Sequence, residues 1–430
     1  MLNRPYQILS TLYYLHVYYI QNSHYDKFNF KQIETNSPLE NLSLQTADIW
    51  IITKLQHLIT NVTTLIDNCR FHEACRLIED FIIGSLSQTY VPSIRHDLWD
   101  DSLENKGRRF TIYSVLYLCL KYVDILLHPY SPFLTEYLYL TSFKNYDSLL
   151  FENWPDSKSL LQVSNNKVES AFDQVKAISS LSFSLRNKSK LKRRWPLESA
   201  YVYCKHVDFV NIDGISDILK EQMNVESLNV MEFKFNTVAE KVLKLLEVKA
   251  PISIQISINK KNVAKKVRSD IPIVIDAFSA VDKITILREI SRTGYFPFSY
   301  SKEKSFILEE SDLDITYKPI EQFLLGEIDD VLLFVSTIRN PKLIIKGMVR
   351  DLSRNLQQLR KELGFNPTEI LQCAYISNVS KDELNQLSNF VDDIKSLVRV
   401  KNVDLSQEIK KDINYKTIDI DGKEIMISVV

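Results

Sequence analysis

The stretch from Cys69 to Pro155 constrains this chain more than any other, because its apolar residues keep a helical period through long runs that proline then interrupts. From Phe71 to Ser93, the residues Ala74, Leu77, Ile78, Phe81, Ile82, Leu86, Tyr90 and Val91 recur as the stripe of a buried helix face. A second helix is expected from about Arg109 to Leu127, with Tyr113, Leu116, Tyr117, Leu120, Val123 and Leu127 inward. His128-Pro129 breaks it, since a residue before proline is pushed out of the helical region. At Ser131-Pro132 a further helix is punctuated by a serine able to cap free N–H groups and a proline at the first helical position, where its missing donor costs nothing. Helices linked this closely fold back on one another, so an antiparallel helical bundle is expected.

The opening MLNRPYQILSTLYYLHVYYIQ places Ile8, Leu9, Leu12, Leu15 and Tyr19 on one side of an amphipathic helix. It lacks the basic start, uninterrupted apolar core and small-residue cleavage site of an export signal. The richest apolar run, Ile112 to Leu127, is broken by Ser114, Lys121 and Asp124, so no membrane span is expected. Five cysteines with no CxxC pair offer neither a disulfide pattern nor a zinc site, which implies a reducing, cytoplasmic setting. Cys119, on the apolar side of its helix, is read as a buried thiol.

At 430 residues and 45% hydrophobic, the chain can bury two or three cores. All seven His and all four Trp precede residue 207, and the remainder is richer in Ile, Val, Lys and Asp. The expected fold class is mainly α, then α+β: a bundle over 1–156, a small α/β unit over 157–233, and an α+β region over 234–430. Within the second segment we expect a helix at 165–179, strands at 183–190, 200–205 and 227–233, and a helix at 215–223. Ile252 to Ile258 alternates as a half-buried strand should, and Ile271 to Ile275 reads as another. From Lys342 to Glu369 a long helix carries Met348, Leu352, Leu356, Leu359 and Leu363 on one face. Asp421-Gly422 marks a hairpin turn near the end.

A formal net charge of -1 means that any hold on a nucleic acid must come from local patches. Three are visible. Arg186, Lys188, Lys190 and Lys192 alternate, so an extended backbone would throw all four charges to one side, and Arg193, Arg194 and Trp195 follow at once. Cations beside an indole suit RNA, where π faces stack on bases while lysines neutralise phosphates; the bland reading is a solvated charge run. Arg350, Arg354, Gln357 and Lys361 form a polar stripe opposite the apolar face of the late helix, which is equally the wet side of an amphipathic helix. Arg95 and Trp99 follow the first long stripe, where the Trp either meets a base or anchors its loop on the core. Arg108 and Arg109 begin a helix, where the macrodipole disfavours cations, which hints at an outside anion.

The succession FHEACRLIEDFIIGSLSQTYVPSIRHDLWDD, HPYSPFLTEYLY and FENWP resembles the anticodon-binding bundle of the class I aminoacyl-tRNA synthetases for isoleucine, valine, leucine and methionine. RRWPL and LIIKGMVRDLSRNLQQLRKELGFNPTEIL resemble isoleucyl enzymes in particular, as does a tail of short strands where valyl enzymes tend to end in a coiled coil. Between about Phe235 and Leu325 the resemblance lapses. It implies tRNA, of isoleucine type, as partner, with Arg95 and Trp99 placed to read an anticodon. The catalytic marks of the class are missing: no HIGH-type or KMSKS-type motif occurs, nor any P-loop, GxGxxG or metal-ligand cluster. No cofactor is therefore expected in this chain, and ATP and Mg would enter only through a separate catalytic partner. Three readings stay open: the tRNA-binding part of an isoleucine-tRNA ligase working with a separate catalytic half, a non-catalytic paralogue acting as a trans RNA-binding factor, and a protein-interaction module that has lost RNA binding.

Overall fold

The structure is a computed structural model that describes residues 3–28, 39, 42–100, 102–366, 369–410 and 413–430. Asp101, Pro367 and Thr368, which fall within the matching strings above, lie outside the described residues. Packing divides the chain into two compact units, one of Met1–Val175, Ile212–Ile218 and Ile345–Val430, the other of Lys176–Asn211 and Leu219–Ile344.

The chain begins with helices α1 (Asn3–Tyr25), α2 (Thr46–Asp67), α3 (Phe71–Asp80), α4 (Val91–Trp99), α5 (Lys106–Leu127) and α6 (Pro132–Ser142). α5 touches α1, α2, α3, α4 and α6 and is buried on every side, which is why it is apolar all round rather than striped. It is long and apolar enough to cross a membrane, yet 83% of its most apolar window is buried within the protein. The expected stripe from Phe71 to Ser93 is not one α-helix: Phe81–Tyr90 widens into a stretch with a five-residue hydrogen-bond step, so that the Val91 N–H reaches the Leu86 carbonyl. Pro132 begins α6 as expected, but the Ser131 side chain makes no capping hydrogen bond. Ile8, Leu12, Leu15 and Tyr19 are buried as the amphipathic reading required, and the Cys119 thiol is buried too.

The long α7 (Asn166–Lys188) follows, and it overturns the expected strand at 183–190. The four alternating cations suggested an extended backbone, but Ile178, Ser182, Leu185 and Arg186 are buried together at helical spacing. Next come β1 (Leu197–Cys204), α8 (Ile215–Met223) and β2 (Val225–Glu232), with β1 and β2 parallel. α9 (Val238–Glu247), β3 (Ile252–Ile258), α10 (Lys260–Val267), α11 (Ile271–Ser279), α12 (Lys283–Thr293), β4 (Tyr295–Ser299), β5 (Ser305–Glu309) and β6 (Leu313–Pro319) gather around their own apolar cluster, which includes Val263, Val274, Phe278, Ile286, Leu287 and Phe298. Residues 271–275 are thus the start of a helix, not a strand. Pro272 sits in its first turn, and Val274 and Phe278 face inward one helical turn apart. β7 (Phe323–Ile328) and β8 (Val331–Ser336) close this unit's sheet in the order β2-β1-β8-β7.

The last segment holds α13 (Pro341–Glu362), β9 (Leu371–Ser377), α14 (Lys381–Leu387), α15 (Val391–Val398), β10 (Val400–Leu405), β11 (Lys416–Ile420) and β12 (Lys423–Val429). Met348, Leu352, Leu356 and Leu359 form the buried face of α13, while Leu363 lies past its end and is 55% exposed. The sheet order is β10-β9-β12-β11. Asp421 and Gly422 both take positive φ at the β11–β12 turn, the conformation that a two-residue hairpin favours.

Candidate nucleic-acid interface

The arginines that open α5 point inward, because their anions are inside the protein. Asp48, in the first turn of α2, is fully buried and accepts from the Tyr90 hydroxyl at 2.7 Å, from the Gln45 N–H at 2.9 Å and from Arg108. A carboxylate suits the first turn of a helix, where the macrodipole favours negative charge. Arg108 also donates to Asp97 at 2.8 Å. Arg109 grips Asp26 with two hydrogen bonds of 2.7 and 3.0 Å, and donates to the carbonyls of Asp100 and Ser102. Burial works against the charge of Asp26, but hydrogen bonds from Arg109 and Tyr113 outweigh it and hold the carboxyl below its ordinary pKa. The outside anion expected at Arg108 and Arg109 is therefore replaced by Asp48, Asp97 and Asp26.

Arg186 and Trp195 also turn inward. Arg186 is 1% exposed and donates to the carbonyls of Trp195, Met223 and Asn224 at 2.7 to 2.9 Å. Trp195 is buried, with Arg339 and Lys192 against its ring at 4.9 and 5.2 Å. Neither side chain is available to an RNA base. Lys188, Lys190, Lys192, Arg193 and Arg194 remain exposed around the C-terminal end of α7, where the helix dipole favours cations.

Arg95, Trp99 and Lys361 are brought together, all in the first unit. They line one pocket of about 310 Å³ with Tyr18, Arg360, Phe365 and Arg399. Its described lining residues include four cations and no carboxylate. The Arg95 guanidinium lies 5.9 Å from the Trp99 ring centre. Arg360, buried, spends its donors on the carbonyls of Val398, Arg399, Asn366 and Glu369; burial, and then the charge of Arg399, hold its pKa below the usual arginine value. The Tyr18 hydroxyl is buried with no hydrogen-bond partner among the described residues, and burial pushes its pKa up to about 12 against the pull of Arg95 and Arg399. An adjoining pocket of about 530 Å³ shares Trp99 and adds Lys346, Arg350 and the carboxylates Asp100 and Asp393. Arg354 is exposed on α13 and lines neither. Arg360 and Arg399 were not among the candidate contact residues, because nothing local marks them. They meet Trp99 only through the fold.

Residues 48–202 match the family model described as the anticodon-binding domain of tRNA ligase. This chain carries an anticodon-binding domain. Over nearly its whole length it is also similar to isoleucine-tRNA ligases: 27% identical to that of Picrophilus torridus across 98% of this chain and 37% of the relative, and 26% identical to that of Clostridium novyi across 98% and 38%. The enzyme of Saccharolobus solfataricus is 22% identical across 95% and 39%. The chain thus spans less than two fifths of the length of the curated relatives it matches. The similarity takes in residues 235–325 as well, where motifs alone had shown none. Arg95, Trp99, Arg108 and Arg109 fall inside the anticodon-binding match, whereas Lys361 and Arg399 fall beyond it.

Proposed function

We propose that this chain binds tRNA, of isoleucine type, and contributes to its aminoacylation as the tRNA-binding part of an isoleucine-tRNA ligase. The observation that carries this reading is the pocket where Arg95 and Trp99, inside the anticodon-binding match, face Lys361 and Arg399 with no carboxylate among the described lining residues. Such a pocket suits an unstacked base and the phosphates beside it, since an aromatic face holds any base and the cations hold the backbone. The helices of 1–156 then serve as an antiparallel bundle that presents Trp99, and α13 with the end of α15 serves as the wall opposite. ATP and Mg enter through a separate catalytic half.

The test is direct binding of isoleucine tRNA to the purified chain across a salt series. Affinity should fall steeply as salt rises, because each neutralised phosphate releases counterions. A chain that ignores every tRNA at low ionic strength would contradict the reading. Adding a fragment that bears HIGH-type and KMSKS-type motifs should then restore isoleucine charging; binding without such rescue favours the trans factor instead.

A further inference from the structure

The second sheet of the chain repeats the first. Both arise from a helix, a strand, a helical crossover, a parallel strand and a hairpin, giving the orders β2-β1-β8-β7 and β10-β9-β12-β11. The pairing registers correspond: Leu197 faces Val225 as Leu371 faces Val400, and Ala200 faces Val335 as Ala374 faces Val429. The match holds residue by residue at a constant separation of 174, from Arg186 to Arg360, Trp195 to Glu369 and Leu197 to Leu371. Ser179 and Ser353, Leu185 and Leu359, and Ala200 and Ala374 are buried in both.

The buried arginine identifies the module best. Arg186 donates to the carbonyls of Lys192, Trp195, Met223 and Asn224. Arg360 donates to those of Asn366, Glu369, Val398 and Arg399, the corresponding positions. Lys190 and Gly364 end their helices with positive φ, as do Asn224 and Arg399 before the parallel strand. Each arginine thus ties its helix-end loop to the start of the sheet.

The interior is shared and the exterior has diverged. In the second copy this loop edge, through Lys361, Phe365 and Arg399, walls the pocket beside Arg95 and Trp99. In the first copy the same edge carries Lys or Arg at five of the seven positions 188–194. Arg193 lies 3.8 Å over the Phe183 ring, and Lys188 and Lys190 form no ion pair with any described residue. Lys188 and Lys190, exposed and without an ion pair among the described residues, are left to an anion from outside.

We propose that the chain contains one module twice, and that the helix-end loop of the first copy is a second RNA-contact surface, gripping the phosphate backbone of the same tRNA. This rests on the tRNA-binding reading above. In the full chain, Lys188→Ala, Lys190→Ala, Arg193→Ala and Arg194→Ala combined should weaken tRNA binding roughly 10-fold to 100-fold at moderate salt, and flatten the log-affinity against log-salt slope by about 3 to 4. The effect should multiply with that of Trp99→Ala, as independent surfaces require. A Lys188→Gln, Lys190→Gln pair, at exposed positions, repeats the test if the fourfold change disturbs folding. Wild-type binding matched in affinity and slope by both variants would overturn the second surface alone. A wild-type chain that binds no tRNA would overturn the parent reading and this one together.

Discussion

Arg108 and Arg109 stand at the start of α5 with Asp48, Asp97 and Asp26 against them, whereas Arg95, Arg360 and Arg399 crowd a pocket whose described lining holds no carboxylate. Both groups are arginines near helix ends or in loops, and in sequence they look alike. The difference lies in where the balancing charge comes from. For α5 it comes from Asp48 on α2, Asp97 on α4 and Asp26 in the turn after α1, so the guanidinium groups hold these elements together. Around Trp99, carbonyls hold Arg360 while Arg95 and Arg399 lie against the rings of Trp99 and Tyr25, so the described lining carries four cations and no carboxylate.

The strongest way to break this contrast is to remove one member of the buried set. Arg109→Ala would leave Asp26 and the Tyr113 hydroxyl without their cation in a nearly dry site. Truncating one partner of a buried pair costs about 3–5 kcal/mol, so the urea midpoint should fall sharply. At temperatures where the variant is still folded, its tRNA affinity should match that of the unaltered chain. Loss of affinity without loss of stability would place Arg109 at the interface after all.

Trp99→Ala tests the other side. A base stacked on an aromatic ring is worth about 1–3 kcal/mol by alanine substitution, so tRNA binding should weaken by that amount. Trp99 is only partly buried, and the urea midpoint should move far less than for Arg109→Ala. If Trp99→Ala instead unfolds the chain and leaves affinity intact, the ring is a loop anchor.

These two arginine groups also show what the sequence could and could not reveal. Helical period marked α1 and α13 because a core-facing stripe repeats every three to four residues whatever packs against it. Period misled at 183–190, where four alternating charges suggested a strand although Ile178, Ser182 and Leu185 continue the stripe of α7, and at 271–275, where a β-branched run hid the helical pair Val274 and Phe278. Arg95, Trp99 and Lys361 were visible as candidates, but their meeting was not, since Trp99 and Lys361 come from distant parts of the chain. Arg186 was misjudged for the same reason: its acceptors at Met223 and Asn224 are carbonyls, and a carbonyl carries no signature in the side-chain alphabet.

Two buried carboxylates sharpen the contrast through pH. Burial opposes the charge of Asp26, but hydrogen bonds from Arg109 and Tyr113 prevail and its folded pKa lies below the ordinary value. Its contribution is therefore present above the unfolded carboxylate range and lost as pH falls through the folded pKa. Asp26→Asn should flatten the acid limb of a stability-against-pH curve. Asp124 behaves oppositely: burial raises its pKa more than His16, at 3.3 Å, lowers it. Its contribution is complete below the unfolded pKa and fades as pH rises through the folded one, so Asp124→Asn should remove that decline on the rising limb. Identical curves for the unaltered chain and Asp26→Asn would detach Asp26 from the arginine clamp.

Arg70 offers the smallest effect and the cleanest control. It is an arginine with a carboxylate partner, as Arg109 is, but both it and Glu73 lie in water, three residues apart at the start of α3. Solvent screens such a pair and each side chain gives up rotamer freedom to form it, so the pair adds little to folding. Arg70→Ala should leave the urea midpoint where it was, and tRNA affinity unchanged at every salt concentration. A measurable loss of affinity would mean that an arginine already matched by its own neighbour still reaches the RNA, and the rule that a paired cation is a structural one would fail on the exposed surface even while it held inside the protein.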